Sequence, residues 1–325
     1  MDVALLALDG VFDLGLAALL DTLGTARDLA MMSGRGPRFD VRVLGLRRRV
    51  TTQHGLAVPV APAASASPPD VVVVPALACK VPETLRPALA RPDVADAGEL
   101  LRDWAKRGAL VGAACTGTFI LAGSGLLDGA RATTTWWLVP LFRELFPRVE
   151  LDDSQMVVEA PNRVTAGAAL AHLDLALWLV RRKSPTLAAQ TARYLLVDAR
   201  PSQAAFAIPD QLAHDDPVVE RFEAWARKHL AAPFSLAAAA RAAGTSERTL
   251  ARRLRDVMGK SPLGYVQDLR VERAVHLLQT TADDVEAIAA AVGYGDGTTL
   301  RTLLRRKVGR GVRELRGTRE APRRA

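Results

Sequence analysis

Two rhythms of apolar positions divide this chain. In the first two-thirds, unbroken apolar runs of strand length alternate with longer stretches of helical period. "VALLAL" (3–8) is continuous. "VVVV" (71–74), which follows the turn cluster "SASPPD" (65–70), is β-branched throughout. "FDVRVLGL" (39–46) alternates as a strand does, and "ALVGAA" (109–114) reads as a buried strand. Residues 14–32 and "AGELLRDWAKRG" (97–108) have the period of helices, the second ending at Gly108. Further on, 116–123 and 136–146 read as helices and 131–135 as a short strand. "QMVVEA" and "RVTAG" read as two more strands, and 168 to about 182 as a helix. Such alternation predicts an α/β unit with a parallel sheet covered on both faces.

Beyond residue 217 the strand signal ends. Helices are predicted at 218–230, 235–243, 246–257, 262–279, 284–292 and 298–308. Between the two regimes, "ARPSQAAFAIPDQLAHDDP" (199–217) has no period and carries Pro201, Pro209 and Pro217. The expected plan is an α/β domain over 1–198, a linker over 199–217, an all-α domain over 218–317 and a frayed tail over 318–325.

The all-α part repeats itself. Gly244 is followed by Leu250, Leu254 and Gly259, and Gly293 by Leu300, Leu304 and Gly309, with one extra residue in the second turn. A small-residue helix precedes each glycine ("LAAAARAAG", "VEAIAAAVG"), and a helix with Arg or Thr on its polar face follows. This is a helix-turn-helix pattern: alanines permit close approach, and glycine accepts the left-handed turn. The second helix of each pair would enter a major groove about 12 Å wide. Leu250 and Leu254 define a buried face, which leaves Arg248, Ala251 and Arg252 outside it, with Ser246 as N-cap and phosphate donor. In the second copy Leu300 and Leu304 are buried. Thr298, Thr299, Arg301 and Thr302 face outward, and Arg305, Arg306 and Lys307 contact phosphates or stay solvated.

Charge sharpens this. The net charge is +8, yet the residues up to Pro217 carry 22 Lys and Arg against 23 Asp and Glu, while those from Val218 onward carry 21 against 12. All the excess positive charge lies in the helical part, which suits double-stranded DNA as a partner; a plain basic helical bundle is the competing reading. A length of 325 residues with 49% apolar content supports two domains with sizeable cores. The two cysteines and the lack of a signal pattern predict a reducing cytoplasm. Metal-ligand spacing and cofactor motifs are not found, and the apolar stretch 168–180 is too short for a bilayer and is broken by His172 and Asp174. The sequence therefore predicts a soluble cytoplasmic protein without metal, cofactor or membrane.

Candidate chemistry centres on "GALVGAACTGTFILAGSG" (108–125), a strand, sharp turn and helix with Cys115 on the turn. Three readings of Cys115 stand: a nucleophile, a marker of a ligand pocket where Thr116 and the helix start offer N–H groups to an anion, or a small apolar filler. "VVVVPALAC" places Ala76, Leu77 and Cys79 just past the end of another strand, where open α/β sheets bind ligands. Trp136 and Trp137 would wall the same pocket and suit a cationic ligand; core or dimer surface is the alternative.

The stretches "SLAAAARAAGTSERTLARRLRDVMGKSPLGYVQDLRVERAVHLLQ" and "VEAIAAAVGYGDGTTLRTLLRRKVGRGVRELR" resemble the AraC-type DNA-binding domain over roughly 218–316. The second copy departs from it, with Leu300 and Leu304 where aromatics are usual and Gly311-Val312 where Ser-Pro is usual. "LDGVFDLGLAALLDTLGTAR" (8–27), "GAACTGTFILAGSGLLDGARATTTWW" (112–137) and "RVTAGAALAHLDLALWLV" (163–180) resemble the DJ-1/PfpI domain, a flavodoxin-like sandwich. The combination is similar to the GlxA-like transcriptional regulators. The resemblance implies a homodimeric regulator whose front domain senses a small effector without catalysing a reaction. It also implies what is missing for catalysis. Thr116 stands where the enzymes have His, Gly15 aligns with their acid, and Trp136 replaces a His frequent in the regulators. Asp13 is the acid nearest by sequence that would compensate, and none of the five histidines is expected at the elbow. The rival reading is a Cys-dependent amidohydrolase or glyoxalase-like enzyme with an appended DNA-binding domain.

Overall fold

The computed structural model describes residues 1–34, 36–198, 200, 203, 214 and 216–316. The predicted tail and most of the predicted linker lie outside the described residues. The chain divides into two units, Met1–Gln203 and Ala204–Ala325.

In the first unit, β1 (Asp2–Ala7), α1 (Asp13–Ser33) and β2 (Asp40–Gly45) are followed by three two-residue strands, β3 (Val50–Thr51), β4 (Ala57–Val58) and β5 (Ala61–Pro62). Then come β6 (Val71–Val74), α2 (Pro82–Leu89), α3 (Pro92–Lys106), β7 (Leu110–Ala114), α4 (Gly117–Gly123), β8 (Arg131–Ala132) and α5 (Val139–Leu145). β9 (Glu150–Leu151), β10 (Val157–Ala160), β11 (Arg163–Ala166), α6 (Ala171–Lys183) and α7 (Pro185–Tyr194) complete it. The main sheet has the order β10-β11-β7-β6-β1-β2-β5. Val3, Leu5 and Ala7 on β1 and Val71 and Val73 on β6 share one face, because side chains alternate along a strand. They pack with Leu16, Leu19 and Leu23 of α1 and Leu175 and Leu179 of α6. The residues between them, including Leu6 and Val72, are also fully buried, so both faces are covered.

The sheet is parallel except at one edge, where β10 and β11 pair antiparallel. Only Pro161 and Asn162 separate these strands, and Asn162 turns with φ 54°. So short a connection permits only antiparallel neighbours. The structure also contains α2 and α7, to which the sequence reading assigns nothing, and begins α3 at Pro92 rather than residue 97. Each of the three opens on a proline, which favours a first helical turn although it breaks later ones. The predicted strand 131–135 shortens to β8, and the predicted helix 136–146 begins as a 3-10 turn, Trp136–Leu138.

The second unit is helical: α8 (Pro217–Lys228), α9 (Leu236–Ala242), α10 (Glu247–Met258), α11 (Pro262–Thr280), α12 (Val285–Ala291), α13 (Gly297–Val308) and α14 (Val312–Arg316). Side-chain N-caps from Asp216, Ser235, Ser246, Ser261, Asp284 and Asp296 start the first six. There are two cores. Tyr265, Val266 and Leu269 of α11 join the first, and Val271, Ala274 and Leu278 of the same helix join the second. Among the described residues no helix is long and apolar enough to cross a membrane.

Candidate functional site

The Cys115 elbow is built by two competing hydrogen-bond systems. The Cys115 N–H donates to Ala166 O at 3.0 Å, extending the β7–β11 ladder, while Thr118 and Phe119 bond back to Cys115 O and Thr116 O to start α4. The chain reverses within one residue, and Cys115 adopts φ 55°, a left-handed conformation that costs a non-glycine residue about 1–2 kcal/mol. Gly117 follows because a Cβ there would collide with Val74 O and lie 2.8 Å from Pro75 O. Thr116 Oγ1 donates to Leu77 O, and Thr134 Oγ1 donates to Cys115 O at 2.9 Å. The elbow, the 76–79 loop and the 133–135 segment are thereby brought together.

The thiol itself is buried, and burial raises its pKa. The nearby backbone of Ala169 and Thr116 and the hydroxyls of Thr135 and Thr116 oppose this without offsetting it. Desolvation thus outweighs the pull of these groups toward the thiolate. Cys79 is half-buried and its thiol donates to Thr84 O at 3.5 Å; burial raises its pKa as well. Both cysteines are free thiols. Asp13, at the start of α1, engages His54 Nδ1 at 2.9 Å. Partial burial acts to raise its pKa, but bonds with Thr52 and His54 leave the carboxyl below its ordinary value. Trp136 and Trp137 are half-buried and meet edge to face at 5.4 Å, immediately after Thr135. Trp137 Nε1 and Thr118 Oγ1 are buried and have no hydrogen-bond partner among the described residues.

One expectation is overturned. His172 does belong to the elbow region. Its Nε2 accepts from Ala76 N–H at 3.1 Å and its Nδ1 donates to Ala169 O at 2.5 Å. The ring fills the space beside Gly15, where an added Cβ would lie 2.7 Å from Nε2. Burial lowers its pKa to about 4. A neutral imidazole with both nitrogens committed to backbone has no lone pair left to take a thiol proton. The signal was present, a histidine inside an apolar run and a glycine inside a helix, but only the packing of α1 on α6 joins them.

In the second unit Gly244 and Gly293 take φ 67° and 81°, as the two turns require. On α10, Leu250 and Leu254 are fully buried, Arg248 and Arg252 are exposed and Ala251 is half-buried. Ser246 Oγ accepts from Thr249 N at 3.1 Å and donates to Thr249 Oγ1 at 2.9 Å, so its hydroxyl serves the cap. On α13, Thr298, Thr299, Arg301, Thr302 and Arg305 are exposed over buried Leu300 and Leu304. Thr299 bonds Asp296 through both its N–H and its hydroxyl, and Thr302 Oγ1 donates to Thr298 O. Arg301 lies 3.6 Å from Glu286 in an exposed pair, the kind worth little and easily exchanged for a phosphate. Lys307 departs from expectation: it is half-buried and paired with Asp268, which also holds Lys260 at 2.8 Å. Arg270, buried on α11, donates to Leu230 O at 2.9 Å and Ala232 O at 2.6 Å and stacks over Tyr294 at 5.2 Å, joining the two halves.

Residues 239–318 match the model of a helix-turn-helix domain, and residues 1–182 match that of the DJ-1/PfpI family. The HTH-type transcriptional regulator GbdR of Pseudomonas aeruginosa is 29% identical over 198 residues, 60% of this chain and 54% of that protein. The matched stretch is thus about half of GbdR's own length. The HTH-type transcriptional regulator ArgR of the same species is 28% identical over 247 residues, 75% of this chain and 72% of the other. The crystal structure of an AraC family transcriptional regulator from Pseudomonas putida superposes with a TM-score of 0.50 at 24% identity, over 60% of this chain and 98% of that one, and bears on the fold. The match over residues 1–182 covers more than half of the sequence, and the chain therefore belongs to the DJ-1/PfpI family.

Proposed function

We propose that this chain is a ligand-responsive, sequence-specific DNA-binding transcriptional regulator of the cytoplasm. A sensing domain over 1–198, a linker over 199–217 and a DNA-binding domain over 218–317 divide the work, and the protein acts as a homodimer. The observation that carries this reading is the helix-turn-helix pair. Two arginine-bearing helix faces share one connecting helix, in the part of the chain that holds all the excess positive charge. α11 is roughly 28 Å long, close to the roughly 34 Å between successive major grooves on one face of DNA. The regulator relatives support the same reading.

The first unit acts as a sensor and not as an enzyme. A buried thiol with a raised pKa, beside a histidine whose nitrogens are both engaged, is poorly suited to nucleophilic attack. We place the effector site where the elbow, the 76–79 loop and the 133–135 segment meet, joined by Thr116 and Thr134. The aromatic pair suits a cationic effector.

Fluorescence anisotropy with duplexes from the protein's own locus tests the reading. Specific binding should weaken steeply as salt rises. Arg252→Ala should reduce discrimination among sites, and Arg306→Ala should weaken binding to all duplexes alike. Equal affinity for its own locus and for random duplex would sink the proposal.

A further inference from the structure

Gln203 is the last described residue of the first unit, and only 1% of it is exposed. Its carboxamide is held as a ligand would be. Nε2 donates to Thr133 Oγ1 at 3.1 Å, Thr134 O at 2.9 Å and Asp153 O at 3.1 Å, sharing two protons among three acceptors. Oε1 accepts from Ala168 N–H at 3.1 Å. Gly167 makes room, since a Cβ there would collide with Oε1.

The polarity of this cradle is fixed. Thr133 Oγ1 donates its proton to Gln155 O at 3.1 Å and so presents a lone pair inward. Thr134 O and Asp153 O are carbonyls, which only accept, and Ala168 N–H only donates. A carboxylate would turn an oxygen toward three acceptors. An amidinium would turn an N–H toward the Ala168 N–H. Only a group with NH2 and C=O on one carbon satisfies every partner, and a buried mismatch is costly. Thr134 also donates to the Cys115 carbonyl, so the cradle adjoins the elbow.

We propose that this cradle is a binding site for the primary carboxamide end of a small molecule, for which Gln203 is the resident competitor. A carboxamide ligand and Gln203 cannot occupy it together. Occupancy would free Gln203, which ends the first unit in sequence; any coupling to DNA binding rests on the regulator reading, whereas binding does not.

Isothermal titration of the full chain with propanamide, without DNA, tests the site. Gln203→Ala should bind propanamide at least tenfold more tightly than the unsubstituted chain. Propionate and propionamidine should not bind, and adding Thr133→Val should abolish the gain. Equal or undetectable propanamide binding in both chains, or propionate binding as tight as propanamide, would overturn the proposal. Gln203→Ser is the second variant, judged by the same criteria, should Gln203→Ala not fold. Loss of DNA binding in any of these chains would bear on the regulator reading and leave the carboxamide site standing.

Discussion

At the residue scale, the Gly15–His172 contact decides what the elbow is. Gly15 supplies no acid; its missing side chain makes room for a histidine that hydrogen-bonds the 76–79 loop and the turn at Ala169. Gly15→Ala should cost about 1–3 kcal/mol by overpacking. His172→Ala should relieve part of that cost, giving a double-mutant coupling of about 1 kcal/mol or more in denaturant titrations; strictly additive losses would refute the contact. The histidine also sets a pH dependence. Its folded pKa is about 4 against an ordinary 6.5, so between those values the unfolded chain binds more protons. Its contribution is complete above about pH 6.5 and is lost as pH falls toward 4. Relative to His172→Leu, the wild type should lose roughly 2 kcal/mol of stability between pH 7 and pH 5. A gap between the two chains that stays constant over that range would show that the ring is not buried neutral.

At the element scale, the repeat was legible because each copy carries its own instructions. Gly244 and Gly293 turn left-handed, and Leu250, Leu254, Leu300 and Leu304 lie on the buried faces their spacing assigns. What joins the copies was not legible. Arg270 reads as one more basic residue, yet it is buried and bonds carbonyls from the first half while lying over Tyr294 in the second. Lys307 likewise reads as a phosphate contact or a solvated charge, yet Asp268 holds it. Arg270→Ala should destabilise the helical unit by roughly 3 kcal/mol, because two carbonyls lose a charged donor and a buried stem is removed. Chemical denaturation followed by Trp225 fluorescence would register this. An unchanged midpoint would mean that the halves are held by apolar packing alone.

At the scale of the whole molecule, each unit has its own buried core, so calorimetry should resolve two unfolding transitions. Arg270→Ala should lower only one of them, and a single transition shifted as a whole would contradict this. The sequence by itself determined the alternation of strands and helices, the sharp turn at Cys115, the doubled helix-turn-helix and the segregation of positive charge. These are local properties, written in the spacing and type of neighbouring residues. The partners of the groups that matter chemically were decided only by the tertiary structure. His172 meets Ala76 across 96 residues, and Gln203 meets Thr133 across 70. Burial then moved the pKa of Cys115 up and that of His172 down from the values their residue types suggest. Hydrogen-bond partnership and desolvation depend on which distant segments share a small volume, and no local pattern encodes that.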